Sequence, residues 1–240
     1  MSKLLVKRAE EFARLVHRNQ SYGELPYTDH LKEVYLTLLD FGVTDEKILA
    51  ASWLHDSIED TSTTYEALEI QFGKELADLV LAVTNEKGSN RKEVLEKTAF
   101  KIKNNEVALV IKLADRIVNT EFSLENNLKL YKMYEKEFDL FRKLLCNEED
   151  YSLQLDAMWI YLTHLYLEED FRFTVSQAFE MAEVIEKLPT RSLVAQFKKS
   201  PEKYLGTQLG VEVIRIEELD EREAKYYDGC YQIVEEKMYD

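Results

Sequence analysis

Residues 53–61, Trp53-Leu54-His55-Asp56-Ser57-Ile58-Glu59-Asp60-Thr61, place four side chains able to bind a metal or carry protons on one short segment. Read as helix, this segment stands His55 one turn from Glu59 and Asp56 one turn from Asp60, because positions i and i+4 share a face. Ala50, Ala51, Trp53, Leu54 and Ile58 supply an apolar surface that clamps the same helix into a core. Two readings fit this stretch taken alone. One is a metal site facing a cleft. The other is a solvated acidic face, where helical carboxylates usually lie.

Upstream, Thr44 reads as the N-cap of this helix, with Glu46 and Lys47 in its first turn. Gly42 ends the helix before it, which begins at Asp29 or His30 and carries Leu31, Val34, Leu38 and Leu39 toward the core. A loop over residues 21–29, punctuated by Gly23 and Pro26, separates it from a first amphipathic helix over residues 2–20. Downstream, the spacing predicts helices over 64–72, stopping at Gly73, and over 74–84. After a polar loop at 85–90 come helices over 91–104 and 106–118. The run Val107-Ala108-Leu109-Val110-Ile111 is apolar nearly all round, which marks a central helix, and Asp115 ends it. Further helices are expected over 124–146, 150–168 and 174–188. After Pro189 the pattern weakens, and Val211, Val213, Ile214 and Ile216 favour a short extended segment.

Seven glycines and three prolines in 240 residues leave little room for long loops, so the fold class is all-α. The expected organisation is a core over 1–148 and a helical extension with an acidic C-terminal region over 149–240, packed on that core. Forty-six acidic against 31 basic residues give a net charge of −15, which opposes broad contact with nucleic acid or an anionic membrane. A small anionic substrate remains compatible, because a divalent cation reverses the local field in a cleft. Cys146 and Cys230 have no metal-ligand spacing and read as ordinary thiols. The N-terminus turns charged too early for a signal peptide, and no run is long enough to span a bilayer, so the simplest expectation is a cytoplasmic protein.

His30 follows the Gly/Pro loop, and Asp115 follows a buried stretch. With His55 and Asp56 they make a mixed nitrogen and oxygen set, suited to Mn, Fe, Co or Zn rather than to a thiolate-selected structural zinc. Glu59 and Asp60, one turn further on, are the general acid and base candidates. The blander roles fall elsewhere. His17 packs beside the loop before His30, His164 is a surface or core histidine, Trp53 is a core aromatic, Tyr131 and Tyr134 either pack in the core or line the pocket, and Arg116 either holds an ion pair or touches substrate.

The order and spacing of His30, His55-Asp56 and Asp115 resemble the HD-domain metal phosphohydrolases. Residues 12–20, Pro26-Tyr27-Thr28-Asp29-His30, residues 54–61, Phe72-Gly73 and Lys112-Leu113-Ala114-Asp115-Arg116 look more specifically like the hydrolase domain of RelA/SpoT-type alarmone enzymes. MESH-type small alarmone hydrolases match in size. The resemblance implies an HD-domain helical bundle and a Mn2+ ion held by His30, His55, Asp56 and Asp115. It further implies that Glu59 and Asp60 assist water in removing pyrophosphate from the 3′ position of a guanosine polyphosphate. Asn119 matches a substrate-contacting asparagine, and Arg91 and Lys92 fall where the family carries phosphate contacts. The chain departs from the pattern at Ser21-Tyr22, Val118 and Thr120-Glu121, positions that bear on nucleotide recognition rather than on the metal. Two alternatives to alarmone hydrolysis follow: a regulatory module that binds a nucleotide without cleaving it, and a broader HD nucleotidase. No synthetase segment is evident, and the oligomeric state is left open.

Overall fold

In the computed structural model, residues 2–103, 105–146, 152–166, 174–186, 212–213 and 233–234 are described. The backbone divides into two compact units, Met1–Cys146 and Asn147–Asp240.

The apolar stripe at the N-terminus folds as helix α1 (Ser2–Val16), whose Ala9 and Ala13 are fully buried. A hairpin follows, with strand β1 (Ser21–Tyr22) pairing antiparallel with β2 (Leu25–Pro26), Ser21 opposite Pro26 and Tyr22 opposite Leu25. Gly23 opens its two-residue turn at φ +61°, the backbone that glycine supplies at the first turn position of a type II′ hairpin. Helix α2 (Tyr27–Asp40) starts directly after Pro26, not at residue 29 or 30. The expected loop is therefore a hairpin running straight into a helix. Strands of two residues are too short to show a period-2 pattern, which is why the sequence reads as loop.

Helix α3 (Glu46–Leu54) is capped by Asp45 rather than Thr44, the Asp45 carboxylate accepting from Lys47 N at 2.8 Å and Ile48 N at 3.3 Å. It stops one residue before the motif. Asp56 has φ −95° and ψ 0°, in the sparsely allowed bridge region, and the short helix α4 (Ser57–Asp60) begins after it. The single helix expected over residues 53–61 is thus two helices with a kink at His55-Asp56. Helices α5 (Tyr65–Phe72) and α6 (Lys74–Val83) follow, with Thr64 capping the first and Gly73, at φ +88°, between them.

Helix α7 (Arg91–Ile102) leads to α8 (Glu106–Asn126), the axis of this unit. Along it Ala108, Leu109, Val110, Ile111, Leu113, Ala114, Ile117 and Val118 are buried, and it touches α2, α3, α6, α7 and the next helix, α9 (Leu128–Leu145). Each fully buried Leu or Ile of this set contributes roughly 1.5–3 kcal/mol by leaving water. Asp115 does not end the helix. Lys112, Asp115, Arg116 and Asn119 lie on one face of a helix that continues to Asn126, and Asn127 terminates it while its side chain caps α9 through Leu130 N.

In the second unit, α10 (Leu153–His164) is buried nearly all round and packs on α11 (Val175–Glu186). Strand β3 (Glu212–Val213) pairs antiparallel with β4 (Ile233–Val234). Val211, Ile214, Ile216 and Cys230 lie outside the described residues. The chain is mostly helical, and among the described residues no helix is long and apolar enough to cross a membrane.

Candidate metal centre

His30 sits in the first turn of α2, His55 at the end of α3, Asp56 in the kink and Asp115 midway along α8. In a continuous helix adjacent side chains point about 100° apart and do not converge. The kink removes that restriction, and Asp56 Oδ2 lies 3.0 Å from His55 Nε2 and 3.5 Å from His30 Nε2. His30, His55 and Asp56 each offer a ligand atom within 4.8 Å of the others. Asp115 Oδ1 approaches the same two nitrogens, 3.4 Å from His30 Nε2 and 3.7 Å from His55 Nε2. Both histidines are almost fully buried, at 1% and 3% exposure, so the convergence lies beneath the surface.

The donor set fits a divalent cation. His55 Nδ1 lies 2.7 Å from Ser52 O, and a carbonyl only accepts, so Nδ1 carries the proton of the neutral ring. Nε2 then presents a lone pair, and it is buried without a well-aligned hydrogen-bond partner. A lone pair facing two carboxylate oxygens at these distances is repulsive unless a proton or a cation stands between them. Ser52 thereby fixes the ring tautomer that a metal needs.

Without a cation, protons take that place. Burial works to lower the pKa of His55, but the Asp56 charge and the nearby Asp115 carboxylate outweigh it and raise the value well above the ordinary one. His30 is raised in the same way, burial being overcome by its bonds to Asp115 and Asp56. Burial alone would raise both aspartates. Asp56 is instead lowered by the His55 charge and its bonds to both imidazoles, and Asp115 by the Lys112 charge and the same two rings. A divalent ion has to displace the histidine protons, so its affinity is full only above their raised pKa values and falls as pH drops through them. Calorimetric titration with Mn2+ at several pH values is expected to show Kd rising as pH falls, by about tenfold per unit for each proton displaced. An affinity constant from about pH 6 to pH 8, the range of histidine titration, would contradict this.

A family model described as HD domain matches residues 9–150, more than half of the chain. The chain belongs to the HD domain family. Among curated relatives, a guanosine-3′,5′-bis(diphosphate) 3′-pyrophosphohydrolase of Aquifex aeolicus is 29% identical, over 97% of this chain and 32% of that protein. The pyrophosphohydrolase MESH1 of Xenopus tropicalis is 32% identical over 48% of this chain and 67% of its own length, and MESH1 of Danio rerio 35% identical over 45% and 63%. The chain thus spans about a third of the first relative and about two thirds of the others. A solved structure of a metazoan orthologue of SpoT that hydrolyses ppGpp aligns at TM-score 0.52 and 28% identity, covering 65% of this chain and 94% of that one. This HD domain is therefore related to the RelA, SpoT and MESH alarmone hydrolases.

Around the HD motif, both aspartates have further partners. Tyr27 donates to Asp56 Oδ2 at 2.6 Å, Lys112 Nζ lies 3.4 Å from Asp115 Oδ2, and Asn119 Nδ2 donates to Asp115 Oδ1 at 2.6 Å. Tyr27 and Lys112 stand three residues before His30 and Asp115, and that helical spacing is the signal by which the sequence could have named them. His17 stacks on Tyr27 at 5.0 Å and bonds to Gln20, whose Nε2 donates to Asp60 O at 2.6 Å.

The two acid/base candidates are held differently. Glu59 accepts from Asn85 N and Asn85 Nδ2, both at 2.9 Å, with one carboxylate oxygen each. Asp60 lies at the rim, yet shielding by the protein and then the Asp56 charge raise its carboxyl above the ordinary value.

The proposed phosphate contacts are already engaged. Arg91 makes a bidentate pair with Glu137, at 2.5 and 2.9 Å, and Lys92 is exposed beside Glu96 at 3.8 Å. Arg116 also reaches Glu137, at 3.5 Å, and lies over the rings of Tyr134 and Phe141. Val118, one of the departures from the pattern, is buried in the core.

Proposed function

We propose that the chain is a metal-dependent phosphohydrolase that removes pyrophosphate from the 3′ position of guanosine 3′,5′-bis(diphosphate) or a close relative. The observation that carries this is that each of two imidazole nitrogens lies 3.0–3.7 Å from an oxygen of both Asp56 and Asp115, with the His55 tautomer set by Ser52. The printed activities of the Aquifex and MESH1 relatives supply the substrate class. Residues 1–148 form the hydrolase core in this proposal, and residues 149–240 are an extension to it.

His30, His55, Asp56 and Asp115 would hold the ion, for which Mn2+ suits the mixed nitrogen and oxygen set. When bound, such an ion lowers the pKa of water and polarises a phosphoryl oxygen. Asp60, with its raised carboxyl, accepts the proton of the attacking water and passes it to the ribose 3′ oxygen as the bond from phosphorus to that oxygen breaks. Water supplies the new oxygen on phosphorus, so the products are GDP and pyrophosphate. Glu59, tied to Asn85, holds the rim of the cleft in place beside Asp60. Asn119 and, once released from Glu137, Arg91 face the substrate, with Lys92 a more distant contact. Lys112, 3.4 Å from Asp115 Oδ2, keeps that carboxylate ionised.

The chain loaded with Mn2+ is expected to release pyrophosphate from guanosine 3′,5′-bis(diphosphate). A chain carrying the metal by elemental analysis that shows no turnover overturns the substrate assignment. One observation favours a second reading, a nucleotidase for less highly charged substrates: Arg91 is neutralised by Glu137. Phosphate release from nucleoside monophosphates, with none from the bis(diphosphate), would select it.

A further inference from the structure

The β1–β2 hairpin reaches the metal centre through one side chain. The Tyr22 hydroxyl donates to Asn119 Oδ1 at 3.1 Å across 97 residues of sequence, and Asn119 Nδ2 donates to Asp115 Oδ1 at 2.6 Å. That oxygen is the one facing both imidazoles, at 3.4 and 3.7 Å. The direction of the amide is dictated by chemistry. A carboxylate only accepts, so Nδ2 must face Asp115 and Oδ1 must face Tyr22, where only a donor satisfies it. Burial and then the Asp115 charge push the Tyr22 phenol above its ordinary value, so the donor keeps its proton.

The ring of Tyr22 has little freedom to leave. Its centroid lies 4.0 Å from Phe122, 4.8 Å from His30 and, edge-on, 6.4 Å from Tyr27. Gly23 lets the hairpin approach this closely: a Cβ there would lie 2.7 Å from Phe122 Cζ.

We propose that Tyr22 is a positioning residue of the metal centre, its hydroxyl orienting Asn119 so that Asn119 holds Asp115 Oδ1 toward His30 and His55. This rests on the reading of those residues as the metal site and not on which nucleotide is cleaved. Donation to Oδ1 polarises the amide and strengthens its N–H bond to the carboxylate. The other Asp115 oxygen is drawn by Lys112 Nζ at 3.4 Å. Asn119 and Lys112 therefore pull on opposite oxygens, and loss of the phenol hydroxyl tips the carboxylate toward Lys112. An amide with both ends occupied acts on the metal ligand first.

The test is a double-mutant cycle read by Mn2+ calorimetry on metal-stripped full-length chain: unaltered, Tyr22→Phe, Asn119→Ala and both together. Tyr22→Phe is expected to weaken Mn2+ binding by about tenfold or more, as outer-shell partners of metal ligands do, with the metal-free chain still folded by circular dichroism. It should also alter the visible spectrum of the Co2+-loaded chain. In the Asn119→Ala background Tyr22→Phe should cost nothing further, because the residue through which it acts is gone. An unchanged Mn2+ affinity for Tyr22→Phe overturns the proposal, as does an equal loss with and without Asn119, which would mean that Tyr22 acts by packing alone. An unaltered chain that binds no Mn2+ overturns it together with the metal site. A chain that shows the full cycle but hydrolyses no nucleotide supports it and overturns only the hydrolase reading.

Discussion

Asp56→Ala is expected to abolish tight Mn2+ binding and to lower kcat/KM by at least about 10³-fold, on the order of 4 kcal/mol of transition-state stabilisation. The Asp56 carboxylate makes the shortest approach to an imidazole in the set, 3.0 Å to His55 Nε2. A single oxygen, Oδ2, approaches both imidazole nitrogens, at 3.0 and 3.5 Å, and also accepts from Tyr27 at 2.6 Å. Truncation removes one ligand and the charge that raises the His55 pKa. It also removes the acceptor of the half-buried Tyr27 hydroxyl. The remaining three groups form a cationic or neutral pocket with one carboxylate, a poor trap for a divalent ion. Calorimetry with Mn2+ and steady-state release of pyrophosphate check the two halves of the prediction separately. Full-strength Mn2+ binding by Asp56→Ala would show that the ion lies elsewhere.

The second large effect separates chemistry from metal binding. Asp60→Asn is expected to lower kcat by about 10²–10⁴-fold, the range for loss of a general acid or base, with Mn2+ affinity nearly unchanged. Shielding and then the Asp56 charge raise the Asp60 carboxyl, and its backbone is pinned by Gln20 at 2.6 Å. Such a group is poised to exchange a proton. Glu59→Gln should cost less, because both Glu59 oxygens are spent on Asn85, and a glutamine still accepts one of those bonds. If Glu59→Gln proves the more damaging variant, the roles of the two carboxylates are reversed. Sequence spacing treats them as equivalent; their partners do not.

Much of the scaffold was legible locally. The helix over 64–72 with its Thr64 cap, the stop at Gly73 and the helix that follows appear within a residue or so of the observed α5 and α6, since capping and 3.6-residue periodicity act over a few neighbours. The boundaries that failed did so for equally local reasons. Asp115, Arg116 and Asn119 looked like a helix end because polar residues cluster there, whereas they line one face of α8. Thr44 and Asp45 are both good caps, and only the observed bonds to Lys47 N and Ile48 N distinguish them.

Sequence alone determined the mostly helical class, the central apolar helix and the four residue types able to share a cation. These depend on side-chain identity and on spacings of three or four residues. Tertiary structure decided where lone pairs meet and which charges are left free. The kink at His55-Asp56 turns two neighbours onto one point, and Tyr22 meets Asn119 across 97 residues, Arg91 meets Glu137 across 46 and Glu59 meets Asn85 across 26. Helical periodicity carries no information over such separations. A charged or amide group takes whichever partner packing brings within about 3 Å, and only the folded chain sets that distance.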